Sequence, residues 1–295
     1  MKIKNVAMLF ITITALQTEA FEISPHVIYG EDNRCEISEV EDPVLQKISD
    51  ATLAIIPKDM VRFDKGGYAR IVGRKYGEEF NLCSDEPYSD QPIAANCSGS
   101  LVGDDLIATA GHCVTQYDCS TYQFVFGYRM TKDGQVPEHI PDADVYSCRS
   151  VVAHKLNGSQ DYALIQLDRP VQNREPLKLQ VQAVHAGDDI YVIGHPGGLP
   201  TKLADGAKVR SDFGDFFNSN LDTYGGNSGS AVFNAKTHEV VGVLVRGDTD
   251  FFYDETRKCF YSNRCQDSGC RGEDATAIRF IQEALDYHRS QRPTL

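Results

Sequence analysis

Basic charge is the first thing this chain lacks: 295 residues carry 29 Lys and Arg against 42 Asp and Glu, a formal net charge of −13. A nucleic-acid binder needs basic patches to neutralise phosphates, and this balance excludes one. The acidity is screened in salt and serves chiefly to keep the chain soluble. Beyond the first twenty residues no apolar run is long enough to span a bilayer, so no membrane role is expected. Histidine is missing at ligand spacing beside the cysteines, which argues against a Cys-His zinc module. A Cys-ligated zinc among Cys259, Cys265 and Cys270 stays open as an alternative to disulfides.

The N-terminus supplies Lys2 and Lys4, the apolar run Val6–Leu16, and Thr18-Glu19-Ala20. That pattern predicts a secretory signal over Met1–Ala20 and an exported, soluble chain. The N-terminal segment then runs over 21–50, with a short pro-segment ending near His26 as one option. Nine cysteines in an exported chain read as disulfides, and the odd total leaves at least one thiol without an internal partner.

Short apolar segments broken by Gly, Pro and Asp recur from residue 51 onward and predict an all-β domain over 51–295. The first half offers Ala51–Pro57, Gly99–Val102, Leu106–Thr109, Thr121–Phe126, Ser147–Ala153 and Ala163–Leu167. The second offers Asp189–Ile193, Lys202–Val209, Asn218–Thr223, Ser230–Asn234 and Val240–Val245. A linker falls near Pro170–Leu177, so the halves divide at about 170 and 178. Lys58–Gln91 is too long for a hairpin loop and reads as an insertion decorating the first half. Apolar residues at helical spacing predict a C-terminal docking helix over 274–288.

Three motifs carry chemistry. Ser228 sits in the turn Gly225-Gly226-Asn227-Ser228-Gly229-Ser230. A serine hydroxyl becomes a nucleophile only when a base removes its proton, and nearby glycines let backbone N–H groups approach a substrate carbonyl. His112 ends the strand-and-turn run Leu106–Gly111, and Asp161 opens a half-buried strand. A histidine works as a base near neutral pH when a carboxylate fixes its tautomer. Taken singly, Asp161 is an ordinary strand-end cap and His112 an ordinary turn residue. In the order His112, Asp161, Ser228 they supply base, orienting acid and nucleophile.

With Thr109-Ala110-Gly111-His112-Cys113, Asp161-Tyr162-Ala163-Leu164-Ile165 and Gly225–Ser230 in that order, the chain resembles the chymotrypsin-fold serine proteases. Asn227 before the serine, and Val27-Ile28-Tyr29-Gly30-Glu31-Asp32-Asn33-Arg34, are similar to the bacterial glutamyl-endopeptidase branch. The resemblance implies two antiparallel six-stranded β-barrels with the active site between them and a C-terminal helix. It implies a His112–Asp161–Ser228 triad, an oxyanion hole from the N–H groups of Gly226 and Ser228, and a Cys97–Cys113 disulfide. No cofactor or metal is required. The expected partners are protein or peptide substrates, met by a monomer. A catalytically silent binding protein on the same fold, and an esterase, are the rival readings.

For the specificity pocket the resemblance is divided. Thr223 matches the pocket threonine of the Glu-specific branch, but Leu244 stands where that branch places a histidine. Asp222 has the offset of the aspartate at the base of a trypsin pocket and suggests Arg or Lys at the cleavage position. Arg246 offers the opposite, Glu or Asp, and the N-terminal amine of Val27 is a further candidate for binding an acid. The acidic run Asp248, Asp250, Asp254 and Glu255 has oxygen ligands for calcium but fits no known loop spacing, so a solvated, disulfide-stapled insertion is the plainer reading.

Overall fold

The computed structural model describes residues 28–135 and 139–291. The signal-like Met1–Ala20 and Val27 lie outside them. Twelve of the strands form two closed barrels. The first contains β1 (Thr52–Pro57), β2 (Cys97–Gly103), β3 (Leu106–Thr109), β4 (Tyr122–Phe126), β5 (Val145–Leu156) and β6 (Asp161–Leu167). The second contains β7 (Asp189–Gly194), β8 (Lys202–Asp212), β9 (Phe216–Ser219), β10 (Ala231–Asn234), β11 (Val240–Arg246) and β12 (Glu273–Ala277). Their cyclic orders, β1-β2-β3-β6-β5-β4 and β7-β8-β9-β12-β11-β10, are the same path traced twice, and every neighbour is antiparallel.

The expected two-barrel fold is therefore present. One element differs from the expected helix over 274–288: Glu273–Ala277 is strand β12, and the C-terminal helix begins only at Arg279 and runs to Gln291. Small residues let β12 lie between β11 and β9 with both faces covered, so it shows no alternation to betray a strand. Ile281 and Leu285, four apart on the helix, are buried against the first barrel, and Phe280 stacks on Tyr162 at 5.7 Å.

Strand β1 is also buried on both faces. Leu53 and Ile55 point into the main core, which continues through Leu101, Ile193, Phe233 and Val243 and so cements barrel to barrel. Ala54 and Ile56 pack outward beneath Val61, Ala69 and Ile140. The Lys58–Gln91 insertion is thus structural: its hairpin Val61–Phe63 and Tyr68–Ile71 roofs the outer face of the barrel. A further strand, Arg34–Glu36, adds to β8, while Ile28–Tyr29 pairs in parallel with Arg264–Cys265.

Four disulfides close the fold: Cys97–Cys113, Cys83–Cys259, Cys119–Cys148 and Cys265–Cys270. They include the pair implied by resemblance and consume the three cysteines weighed as zinc ligands. Cys35 keeps a half-buried thiol. Among the described residues no helix is long and apolar enough to cross a membrane.

Candidate active site

Strand β3 delivers His112 through a turn that only glycine permits, since a Cβ at Gly111 would stand 2.2 Å from the Lys155 carbonyl oxygen. Asp161, the first residue of β6, meets the turn there. The His112 N–H donates to Asp161 Oδ1 at 3.1 Å, and His112 Nδ1 lies 2.8 Å from Oδ2. A carboxylate acceptor fixes the proton on Nδ1 and leaves Nε2 as the acceptor. The acid is buried while the His112 side chain stays 36 % exposed. Thr276, on β12 of the other barrel, grips Asp161 by accepting its N–H at 3.2 Å and donating to its carbonyl at 3.0 Å. The orienting acid is therefore locked to both barrels.

Ser228 reaches the same place from the second barrel. Its carbonyl oxygen accepts from the Ser98 N–H at 2.8 Å and lies 3.5 Å from Cys113 Sγ, next to His112. The serine side chain is half-buried. Among the described residues no hydrogen bond joins Ser228 Oγ to the imidazole.

The backbone of the Ser228 turn leaves two groups open. The Gly225 carbonyl accepts from Gly197 N–H at 2.6 Å, that of Gly226 from Ser98 Oγ at 2.8 Å, and that of Asn227 from Ser230 N–H at 2.8 Å. The N–H groups of Asn227, Gly229 and Ser230 donate to Tyr224, Leu244 and Asn227. Among the described residues the N–H groups of Gly226 and Ser228 have no acceptor. A trans peptide points its C=O and N–H in opposite directions. Holding the Gly225 carbonyl on Gly197 therefore turns the Gly226 N–H away, to the free side. Gly226 (φ +94°) and Gly229 (φ +88°) both need left-handed backbone, and a Cβ at Gly229 would stand 2.2 Å from the Ser98 carbonyl.

Ser98 and His195 were not singled out from the sequence. Ser98 Oγ donates to the Gly226 carbonyl and accepts the His195 N–H at 3.0 Å, so it holds the turn and the Pro196–Gly198 loop together. His195 is fully buried, its Nδ1 3.0 Å from the Leu199 carbonyl, and burial lowers its pKa to about 4. It is a neutral packing residue with no access to substrate.

The pocket residues need correction. Asp222 is no open pocket base: it is buried, and its oxygens accept the N–H of Tyr29 at 2.7 Å and of Asn33 at 2.9 Å. Burial lifts its pKa to about 7. The Leu244 side chain packs inside the second barrel core, and only its backbone serves the Ser228 turn. Arg246 Nε is 3.0 Å from buried Asp274 and its guanidinium covers Phe216, so its charge is engaged. Thr223 does sit behind the turn, but it donates to Glu273 Oε2 at 2.6 Å. Glu273, one residue before the helix expected from the sequence, is a further buried acid of this region. It is buried between Thr223, Tyr29 Oη at 3.4 Å and the Asp248 N–H at 3.3 Å, and a Cβ at Gly247 would overlap its carboxylate. Burial raises its pKa to about 8. Among the described residues it has no salt-bridge partner. The acids Asp248, Asp250 and Asp254 bond separately to backbone N–H groups, and Glu255 pairs with Lys258.

Residues 97–243 match the family model described as a trypsin-like peptidase domain. The glutamyl endopeptidase of Bacillus licheniformis is 28% identical over 153 residues, which is 47% of this chain and 45% of that protein. The chain thus matches less than half the length of that relative. A solved Glu endopeptidase structure, in complex with MPD, superposes with a TM-score of 0.53 at 17% identity, covering 90% of this chain and 100% of that one.

Proposed function

Because this chain belongs to the trypsin-like peptidases of the chymotrypsin fold, near the glutamyl-endopeptidase branch, we propose that it is an exported serine endopeptidase. Ser228 Oγ attacks the scissile carbonyl carbon while His112 Nε2 takes its proton, and Asp161 stabilises the imidazolium. The oxyanion is received by the N–H groups of Gly226 and Ser228. Collapse breaks the C–N bond, and His112 passes the proton to the leaving amine. Water then enters by the same route and releases the acid. This reading requires the Ser228–His112 hydrogen bond to form as substrate seats, since catalytic hydrogen bonds in free enzymes are often long or misaligned.

The observation that carries this reading is the pair of unclaimed N–H groups on the Ser228 turn, beside a histidine already held by a buried acid. Four disulfides support export, since such bonds persist in oxidising compartments. Ser228→Ala is expected to abolish peptide hydrolysis and labelling by a serine-directed phosphonate while leaving the circular-dichroism spectrum unchanged. Full activity in that variant ends the reading.

At the cleaved residue, one reading is Arg or Lys, which needs Glu273, a carboxylate as buried as Asp222 and held by Thr223, Tyr29 and Asp248, to turn toward a substrate cation. The second reading, cleavage after Glu or Asp, is favoured by the likeness to a glutamyl endopeptidase. Paired peptides differing only in Arg or Glu at that position separate the two. Turnover of the Arg peptide should rise as pH passes through about 8 and Glu273 ionises. A Glu peptide bound by protonated Glu273 shows the opposite slope.

A further inference from the structure

A groove of about 790 Å³ opens directly from the Gly225–Gly226 turn and ends against the Lys58–Gln91 insertion. One wall is Ile93–Asn96, the segment entering β2, whose first residue Cys97 is bridged to Cys113 beside His112. The histidine side of the reacting carbon is where the leaving amine departs, because His112 must hand it a proton. The groove therefore continues the site in the direction of the leaving group.

Its far wall is Val72, Arg74 and Phe80 of the insertion. That wall is pinned by Cys83–Cys259 to the hairpin between β11 and β12, and the Phe80 ring lies 5.5 Å from that of Phe251 in the same hairpin. Backbone bonds from Ala94 and Ala95 to the Gly198 carbonyl hold the near wall. Beneath the Gly197 wall, Tyr76 Oη is buried without a hydrogen-bond partner among the described residues, 2.8 Å from where a Cβ on Gly197 would stand. Three acids border the groove. Glu79 is neutralised by Arg74 at 2.8 Å, but among the described residues Asp59 and Asp250 meet no cation.

We propose that this groove binds the two or so residues on the leaving-group side of the scissile bond and prefers Lys or Arg there, with Asp59 and Asp250 as the determinants. The inference rests on the serine endopeptidase reading. It gives the insertion, which the sequence marks only as decoration, a role in substrate selection.

Acyl transfer tests it apart from acylation. A peptide ester with no residue beyond the scissile bond makes the acyl-enzyme, and added dipeptide amides then compete with water for it. Amides beginning with Arg or Lys should capture the acyl group about fivefold better than those beginning with Glu, the scale of a solvent-facing ion pair. Each ratio is internal to one acyl-enzyme, so a variant that acylates slowly still reports it. Asp59→Asn should shrink the ratio and Asp59→Lys should invert it. Equal capture of basic and acidic amides by the natural enzyme, or a ratio unmoved by both variants, overturns the proposal. Failure to hydrolyse any ester refutes the peptidase reading instead.

Discussion

Ser98→Ala isolates the device that aims the proposed oxyanion hole. Ser98 is fully buried, and its hydroxyl satisfies two groups at once, the Gly226 carbonyl at 2.8 Å and the His195 N–H at 3.0 Å. Alanine leaves both without a partner, and an unsatisfied buried polar group costs about 1–3 kcal/mol. The fold should lose about 2–4 kcal/mol, partly recovered as the turn relaxes. Relaxation is where function suffers, because the Gly226 N–H is aimed only while its own carbonyl and that of Gly225 are held. Loss of an oxyanion donor outright costs about 3 kcal/mol in kcat, and a donor that is merely loosened should cost less. We expect kcat to fall about tenfold to a hundredfold with KM nearly unchanged, the pattern of an interaction made only in the transition state. Affinity for a peptide aldehyde, whose serine adduct places an oxygen in the hole, should fall in parallel, while a substrate-like product binds as before. A folded Ser98→Ala enzyme with undiminished kcat refutes the positioning role.

Two further outcomes follow from buried acids and the cross-barrel bond. Glu273 titrates at about 8 and Asp222 at about 7, both above their unfolded values. The native state thus keeps protons that the unfolded chain has released, and stability present in full at low pH is lost as pH rises toward 8. The urea midpoint should fall between about pH 6.5 and 8, with Glu273→Gln flattening the slope, and an unaltered slope counts against the assignment. Replacing Cys83 and Cys259 by alanine opens a link of sequence separation 176 and should lower stability by about 2–5 kcal/mol. An unchanged thermal midpoint would show that the aromatic contacts of Phe80 and Phe251 suffice to hold the groove wall.

The proposed trio was readable as motifs because each member sits in a short local pattern: a turn, a strand end and a glycine-flanked serine; the structure joins His112 to Asp161 and brings the Ser228 carbonyl beside Cys113. Their local motifs also fix how each backbone presents its side chain, so order along the chain sufficed. The strands of the first barrel were legible for a similar reason. The pocket was not. Asp222 has a suggestive offset from Ser228, yet its carboxylate turns toward Tyr29, 193 residues away, and no spacing near the serine reveals that. Glu273 was hidden by the opposite error. Ala277, Ile278 and Ile281 extend a helical pattern backward into a strand that is buried on both faces. Ser98 had no signal at all, because a serine that hydrogen-bonds backbone groups of two distant loops looks like any other serine in a strand.

Asn227 makes the preceding point mechanistic. An amide side chain carries no charge, so no ion pair forms at the residue before Ser228. The turn is held by other means: Asn227 is buried with its Oδ1 3.2 Å from Ser230 Oγ, and the carbonyls of residues 225 to 228 are held by neutral donors. A turn satisfied in this way needs no ion pair to keep its two N–H groups free. The N-terminal segment acts elsewhere. Tyr29 and Asn33 donate their N–H groups to Asp222, and Tyr29 Oη reaches Glu273. Docking of that segment therefore bears on the acid behind the pocket rather than on the oxyanion hole. A perturbation at Tyr29 should change which side chain is accepted at the cleaved position before it changes how fast an accepted bond is broken.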